Sequence, residues 1–306
     1  MHRLSWNSIT SETRIPQKTS ANAGKYRSEI ESDYHRIIRS ASFRRLQDKT
    51  QVFPLDNSDF VRTRLTHSLE VSSIAKLIGK QVCIQVLDQQ LAPAGDQPDS
   101  LKVIEILNCA GLLHDIGNPP FGHFGESAIR NWFEKNLSLL QFKQRPLQAW
   151  LDEQQQADLL YYEGNAQALR IITKLHRLTG RSGMHLTSSV MDTIIKYPVN
   201  SLEKLAEDTK EKSKRSLLRK KVGYYQSETD QFLEIKQNTG TTGCRNPLCF
   251  ILEAADDLAY TFADLEDGYK KGLYSYEQLL DVIVEAQDER GAAAGAAGRT
   301  PAEENE

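Results

Sequence analysis

The sequence predicts an all-α protein, a helical bundle with peripheral helices and a disordered C-terminal tail. Three observations lead there. Apolar residues recur at three- and four-residue steps through 64–88, 101–116 and 246–269, the spacing that lines one face of an α-helix. No run of alternating apolar residues competes for strand. Gly117-Asn118-Pro119-Pro120 and Asn246-Pro247 supply a stop and a start signal at the ends of such runs.

Hydrophobic residues make up 39% of the 306 residues and charged residues 26%, which provides for a core and excludes a collagen-like or wholly disordered chain. A net charge of -3 argues against a dedicated nucleic-acid or membrane binder. No stretch has the run of apolar residues that a membrane span needs. The polar segment from Met1 to Arg14 has no apolar leader, so a cytoplasmic location is expected. Cys83, Cys109, Cys244 and Cys249 are few for this length, and the Cys244/Cys249 spacing lacks a second pair for zinc. Reduced, buried thiols are expected.

Taken in order, residues 1–25 lack periodicity and read as an irregular arm. Tyr34, Ile37, Ile38, Ala41 and Leu46 predict an amphipathic helix over 31–47, and Asp56-Asn57-Ser58-Asp59 a loop. His67, Val71, Ile74, Ile78 and Val82 form the stripe of a helix over 64–88. Pro93 to Ser100 breaks the pattern, and Val103, Leu107, Ala110 and His114 line the next helix, 101–116. Helices are expected over 125–140, 152–178 and 186–197, followed by a polar, basic stretch over 207–226. Asn246 as N-cap and Pro247 at the first helical position open a helix to about Tyr269, and a shorter helix over 275–286 follows. Beyond Asp288 the Ala/Gly/Glu composition cannot build a core. The expected organisation is an arm over 1–25, one helical domain over 26–285 and a tail over 286–306.

Chemistry concentrates at His114-Asp115, where an imidazole and a carboxylate stand about 100° apart near a helix end. Taken alone, such a pair reads as a core histidine beside a solvated aspartate. His67 on one apolar face and Asp256 on another change that reading, because polar groups with apolar flanks are costly unless paired. Two imidazoles and two carboxylates from three helices would make a mixed N/O site suited to Mg²⁺, Mn²⁺ or Fe rather than a closed zinc centre.

The order His67, His114-Asp115, Asp256 resembles the ligand set of the HD-domain metal-dependent phosphohydrolases. Longer words carry a closer resemblance: Phe43-Arg44-Arg45-Leu46-Gln47, Val52-Phe53-Pro54, Arg62 to Ser68, His114 to Glu126, Tyr162 to Gln167 and Glu253 to Gly268. Together they resemble the bacterial deoxyguanosine triphosphate triphosphohydrolases over residues 1–285, and stop short of the family's distal part. That resemblance implies an HD-domain bundle that hydrolyses dGTP, and possibly other dNTPs, at the α-phosphorus to deoxynucleoside and intact triphosphate. It implies a divalent ion, Mg²⁺ first with Mn²⁺ or another transition metal as alternatives, held by His67, His114, Asp115 and Asp256. Asp257 is the rival of Asp256, which is preferred because Tyr260 and Asp264 follow on its face at i+4 and i+8.

The resemblance further implies that His123, oriented by Glu126, protonates the departing oxygen, with a packed loop histidine as the other reading. Arg64 would face the phosphates, and Gln51, Tyr260 and Asp264 the sugar. Lys196 and Tyr197 are implied triphosphate contacts, with an exposed helix end as the alternative. The basic run Lys210 to Lys221, followed by Tyr224 and Tyr225, could track a single DNA strand by phosphate contact and stacking, or be a solvated face. A single-stranded DNA effector and a homo-hexamer are the partners that the family adds. Two other functions compete: an HD-type phosphohydrolase of another nucleotide, and a non-catalytic nucleotide- or single-stranded-DNA-binding module.

Overall fold

The computed structural model describes residues 4–15, 27–54, 60–176 and 183–284. Its helices are α1 (Trp6–Ile9), α2 (Glu29–Ile38), α3 (Ala41–Arg44), α4 (Arg64–Asp88), α5 (Ser100–Leu113), α6 (Gly122–Asn136), α7 (Glu153–Leu160), α8 (Gly164–Arg170), α9 (Ser188–Thr193), α10 (Ser201–Asp208), α11 (Thr229–Thr239) and α12 (Pro247–Lys270), with a further helix over 276–284. The strands among the described residues are a two-residue ribbon, Gln141–Phe142 against Arg145–Pro146. The fold is all-α, as the periodicity predicts. No helix among the described residues is long and apolar enough to cross a membrane.

The bundle is centred on α4, α5 and α12, with α2 and α9 against α5 and α11 against α9. Local chemistry sets the ends of the central helices. The Thr63 side chain accepts from the Thr66 amide and the Thr66 side chain from the Thr63 amide, a reciprocal cap that starts α4. Asp99 caps α5 by accepting from the amides of Leu101 and Lys102. Asn246 caps α12 and Pro247 occupies its first position. Leu107, Leu112, Leu113, Val71, Leu248, Leu252 and Ala255 are among the residues that close the core between them.

The buried stripe of α4 is rotated from the one its large residues suggest. It runs through His67, Val71, Ala75, Gly79 and Cys83, while Ile74 and Ile78 sit half-buried on the flank. The cause is close approach: a β-carbon at Gly111 of α5 would stand 2.5 Å from the Ser72 Cα, which only glycine avoids. Small residues face the near helix, and the larger ones wrap its edge.

Three expected helices are broken. The 31–47 segment divides at Ser40, whose side chain accepts from the Phe43 amide and starts a new turn. The 152–178 segment divides at 161–163 into α7 and α8, and α8 ends in a π-helical turn, Ile171–Leu175. The 186–197 segment keeps only α9, which ends at Thr193, and residues 195–200 carry no helix. In the arm, residues 4–15 are not wholly irregular. They hold α1, bury Ile9 and Ile15, and carry Arg14 into a buried ion pair with Asp33 at 2.6 Å. The expected loop at 56–59 and the tail over 286–306 lie outside the described residues, as does part of the arm. Cys83, Cys109 and Cys249 are buried, Cys244 is half-buried, and all four are free thiols.

Candidate metal centre and cleft

The close crossing of α4 and α5 brings the rings of His67 and His114 edge to face, 5.3 Å between centroids. His67 closes the first turn of α4, and His114 caps the end of α5. His67, His114 and Asp115 each offer one ligand atom within 4.8 Å of the others. From α12, Asp256 Oδ1 stands 3.0 Å from His67 Nε2 and 3.5 Å from His114 Nε2. Of the two neighbouring aspartates it is Asp256 that reaches the rings, while Asp257 lies on the wall of the adjoining cleft.

The donor chemistry suits a cation. His114 Nδ1 faces the Gly111 carbonyl at 2.8 Å, and a carbonyl only accepts, so the ring proton sits on Nδ1. His114 Nε2 is buried without a hydrogen-bond partner and turned toward the carboxylates of Asp115 and Asp256. Burial alone would lower the His114 pKa, but those carboxylates reverse that and push it up to about 9. Asp256 is held below the ordinary carboxylate range: burial opposes this, and the two histidines outweigh it. A cluster that draws a proton this strongly, with a second orphaned nitrogen at His67 Nδ1, fits a divalent ion on mixed N/O donors.

Asp115 is gripped on both oxygens. Asn118 Nδ2 donates to Oδ1 at 2.5 Å, and Arg64 Nη1 donates to Oδ2. Arg64, expected to face phosphates, lines the cleft but is buried and spends part of its fork on Asp115. Phe121, the N-cap of α6, and Gly122, its first residue, turn the chain through left-handed geometry. At Gly122, φ +52°, a β-carbon would lie 2.5 Å from Arg64 Nη2, so that turn is built for glycine.

His123, in the first turn of α6, has a side chain that is 79% exposed. Its Nδ1 pairs with Glu126 Oε2 at 2.8 Å. Glu126 is buried and its other oxygen accepts from the Gly164 amide at 2.8 Å. The words at 114–126 and 162–167, far apart in sequence, are thus two halves of one shelf.

Two lobes open from the cluster and share Asp115, Asn118, His123 and Asp256. One adds Gln51, Val52, Phe121, Phe124 and Tyr260; Gln51 Oε1 is buried without a partner there. Tyr260 is hydrogen-bonded to Asp264, whose pKa is raised by burial, and Asp264 itself stands behind Tyr260 rather than on the lobe wall. The other lobe adds Lys196, Tyr197, Lys221 and Glu253. Lys196 is half-buried and Tyr197 buried, which removes the alternative of an exposed helix end.

Sequence reasoning missed Asn118, Lys221 and Glu253. The last lies three residues before Asp256, a spacing that places both on one helix face. The structure also corrects the single-strand reading of Tyr224 and Tyr225. Tyr224 is buried and stacked on Phe232 at 3.9 Å, and the Tyr225 hydroxyl is bonded at Glu163, so neither ring is free for a base.

Residues 64–181 match the HD domain. The chain is 45% identical over 287 residues to a deoxyguanosinetriphosphate triphosphohydrolase-like protein of Listeria monocytogenes, covering 93% of this chain and 60% of that protein. A protein of the same description from Synechocystis is 37% identical over 293 residues, 93% of this chain and 64% of its own length. The deoxyguanosinetriphosphate triphosphohydrolase of Cronobacter sakazakii is 40% identical over 283 residues, 85% of this chain and 54% of its own. The chain spans about three fifths of the length of the first two. With its histidines and aspartates gathered at one cleft, the chain belongs to the deoxyguanosinetriphosphate triphosphohydrolase family of HD-domain proteins.

Proposed function

We propose that this chain is a metal-dependent phosphohydrolase that hydrolyses deoxynucleoside triphosphates, dGTP first among them, to the deoxynucleoside and inorganic triphosphate. The observation that carries the reading is the meeting of His67, His114, Asp115 and Asp256 beside an exposed His123 that is paired with a buried Glu126.

His67, His114, Asp115 and Asp256 would hold the ion, Mg²⁺ or Mn²⁺, which when bound supplies hydroxide near neutral pH and polarises a phosphoryl oxygen. Asn118 and Arg64 keep the Asp115 carboxylate in register. Water adds at the α-phosphorus, the bond from that phosphorus to the 5′ oxygen breaks, and His123 delivers a proton to that oxygen. Glu126 fixes the ring through Nδ1, leaving Nε2 to face the cleft. The lobe with Lys196, Tyr197 and Lys221 takes the triphosphate tail. The lobe with Gln51 and Tyr260, backed by Asp264, takes the sugar.

The test is a metal-supplemented panel of the four dNTPs with the 306-residue chain, products separated by anion exchange. Intact triphosphate from dGTP is the expected result. Pyrophosphate or orthophosphate in its place would point to another HD-type reaction, and nucleotide binding without turnover to a binding module.

A further inference from the structure

We propose that Glu253 is a positioning residue, whose carboxylate holds Lys196 directly, and Tyr197 through Arg245, in the arrangement that receives the triphosphate tail. The inference rests on the function proposed above and adds a residue to it.

A carboxylate on the wall of a lobe meant for a polyanion calls for a physical reason. Glu253 projects from α12 one turn before Asp256 and lines the same lobe as Lys196 and Tyr197. Left alone it would repel phosphate. It is not alone: Oε1 stands 2.9 Å from Lys196 Nζ, and Oε2 2.6 Å from Arg245 Nη1. The three groups sum to one positive charge, so the wall stays attractive to an anion.

The geometry explains what the carboxylate contributes. Lys196 lies on the segment after α9, where no helix fixes its backbone, and a free lysine side chain loses rotamer entropy when it is ordered. The bond to Glu253 orders it beforehand, which reduces the cost at the moment of binding. An ammonium has three donors. One serves Glu253 and two remain for phosphate oxygens, so the ion pair need not break. Arg245 is buried, and its guanidinium lies over the rings of Tyr197 and Phe250, 5.3 Å from each centroid. Anchoring Arg245 therefore also fixes Tyr197. Lys221, which lines the same lobe, repeats the device: its Nζ stands 3.2 Å from the buried Glu163.

The experiment compares the 306-residue chain with its E253Q variant, both loaded with Mn²⁺. Calorimetry measures binding of inorganic triphosphate and of dGMP, which lacks the β- and γ-phosphates, alongside kcat and KM for dGTP. Loss of a charge-assisted bond to a buried partner is expected to weaken triphosphate binding and raise KM roughly 10-fold. The kcat and dGMP affinity are expected to stay within about threefold, with manganese content unchanged. A merely structural role would lower metal content or weaken both ligands together, and overturns the proposal. So do unchanged or tighter triphosphate binding, and a fall in kcat at constant KM. If E253Q does not fold, E253D, which keeps the charge but shortens the reach, is expected to raise KM in the same direction. If the parent chain neither hydrolyses dGTP nor binds triphosphate, the proposed function itself fails, and this inference with it.

Discussion

Asp115 shows how much of this site lies in the neighbours of its principal residues. Both its oxygens are engaged by protein donors, Asn118 and Arg64, and Arg64 in turn has room only because residue 122 lacks a side chain. A G122A substitution meets two penalties, a left-handed backbone and a clash with the guanidinium. It is expected to lower stability by about 1–3 kcal/mol and to cost activity by displacing Arg64 from Asp115, read from urea denaturation and turnover on one preparation. His123 gives a cleaner separation, since its side chain is exposed and its ring pairs with Glu126. H123A is expected to lower kcat by roughly 10²–10⁴-fold with metal content unchanged; metal loss would instead place His123 among the ligands. At this scale the sequence showed which residue types carry chemistry. It could not show that Glu126 faces Gly164, because that pairing depends on how α6 and α8 pack.

Among the helices, legibility followed the strength of the local signals. α4, α5 and α12 combine long stripes with explicit caps, and their bounds fall close to expectation. α9 stops at Thr193, short of the expected bound at 197, and the 31–47 segment broke at a serine that caps better than it propagates a helix. The least legible feature is the tie between α9, α11 and α12. Asp192 and Lys236, both fully buried, face one another at 2.6 Å. Asp192 also accepts from Thr239 at 2.8 Å, from Thr241 at 2.7 Å and from Asn246, the cap of α12, at 3.2 Å. Nothing in the local pattern of a Met-Asp-Thr run announces a charge at the centre of the fold. D192A leaves the Lys236 ammonium buried with its counter-charge removed, and is expected to destabilise by about 3–5 kcal/mol. A loss under 1 kcal/mol in urea unfolding would mean that the network relaxes or takes in water.

For the molecule as a whole, the proposed metal-holding residues come from the three helices at the centre of the bundle: His67 from α4, His114 and Asp115 from the end of α5, and Asp256 from α12. An ion there would cross-link the centre of the fold, and its affinity for the native state would appear as stability. Occupancy at 100 times the dissociation constant is worth about 2.7 kcal/mol, several degrees in the midpoint for a chain of this size. Removing divalent ions with a chelator is therefore expected to lower the melting midpoint, and Mn²⁺ or Mg²⁺ to restore it in a concentration-dependent way. H67A, which deletes one ligand while its buried neighbours remain, is expected to abolish the ion-dependent part of the shift. A midpoint that rises equally in the parent chain and in H67A would assign the effect to ions elsewhere on the surface. A midpoint in the parent that ignores both ions at millimolar concentration would mean that His114 Nε2 and the two carboxylates keep a proton between them instead of a metal.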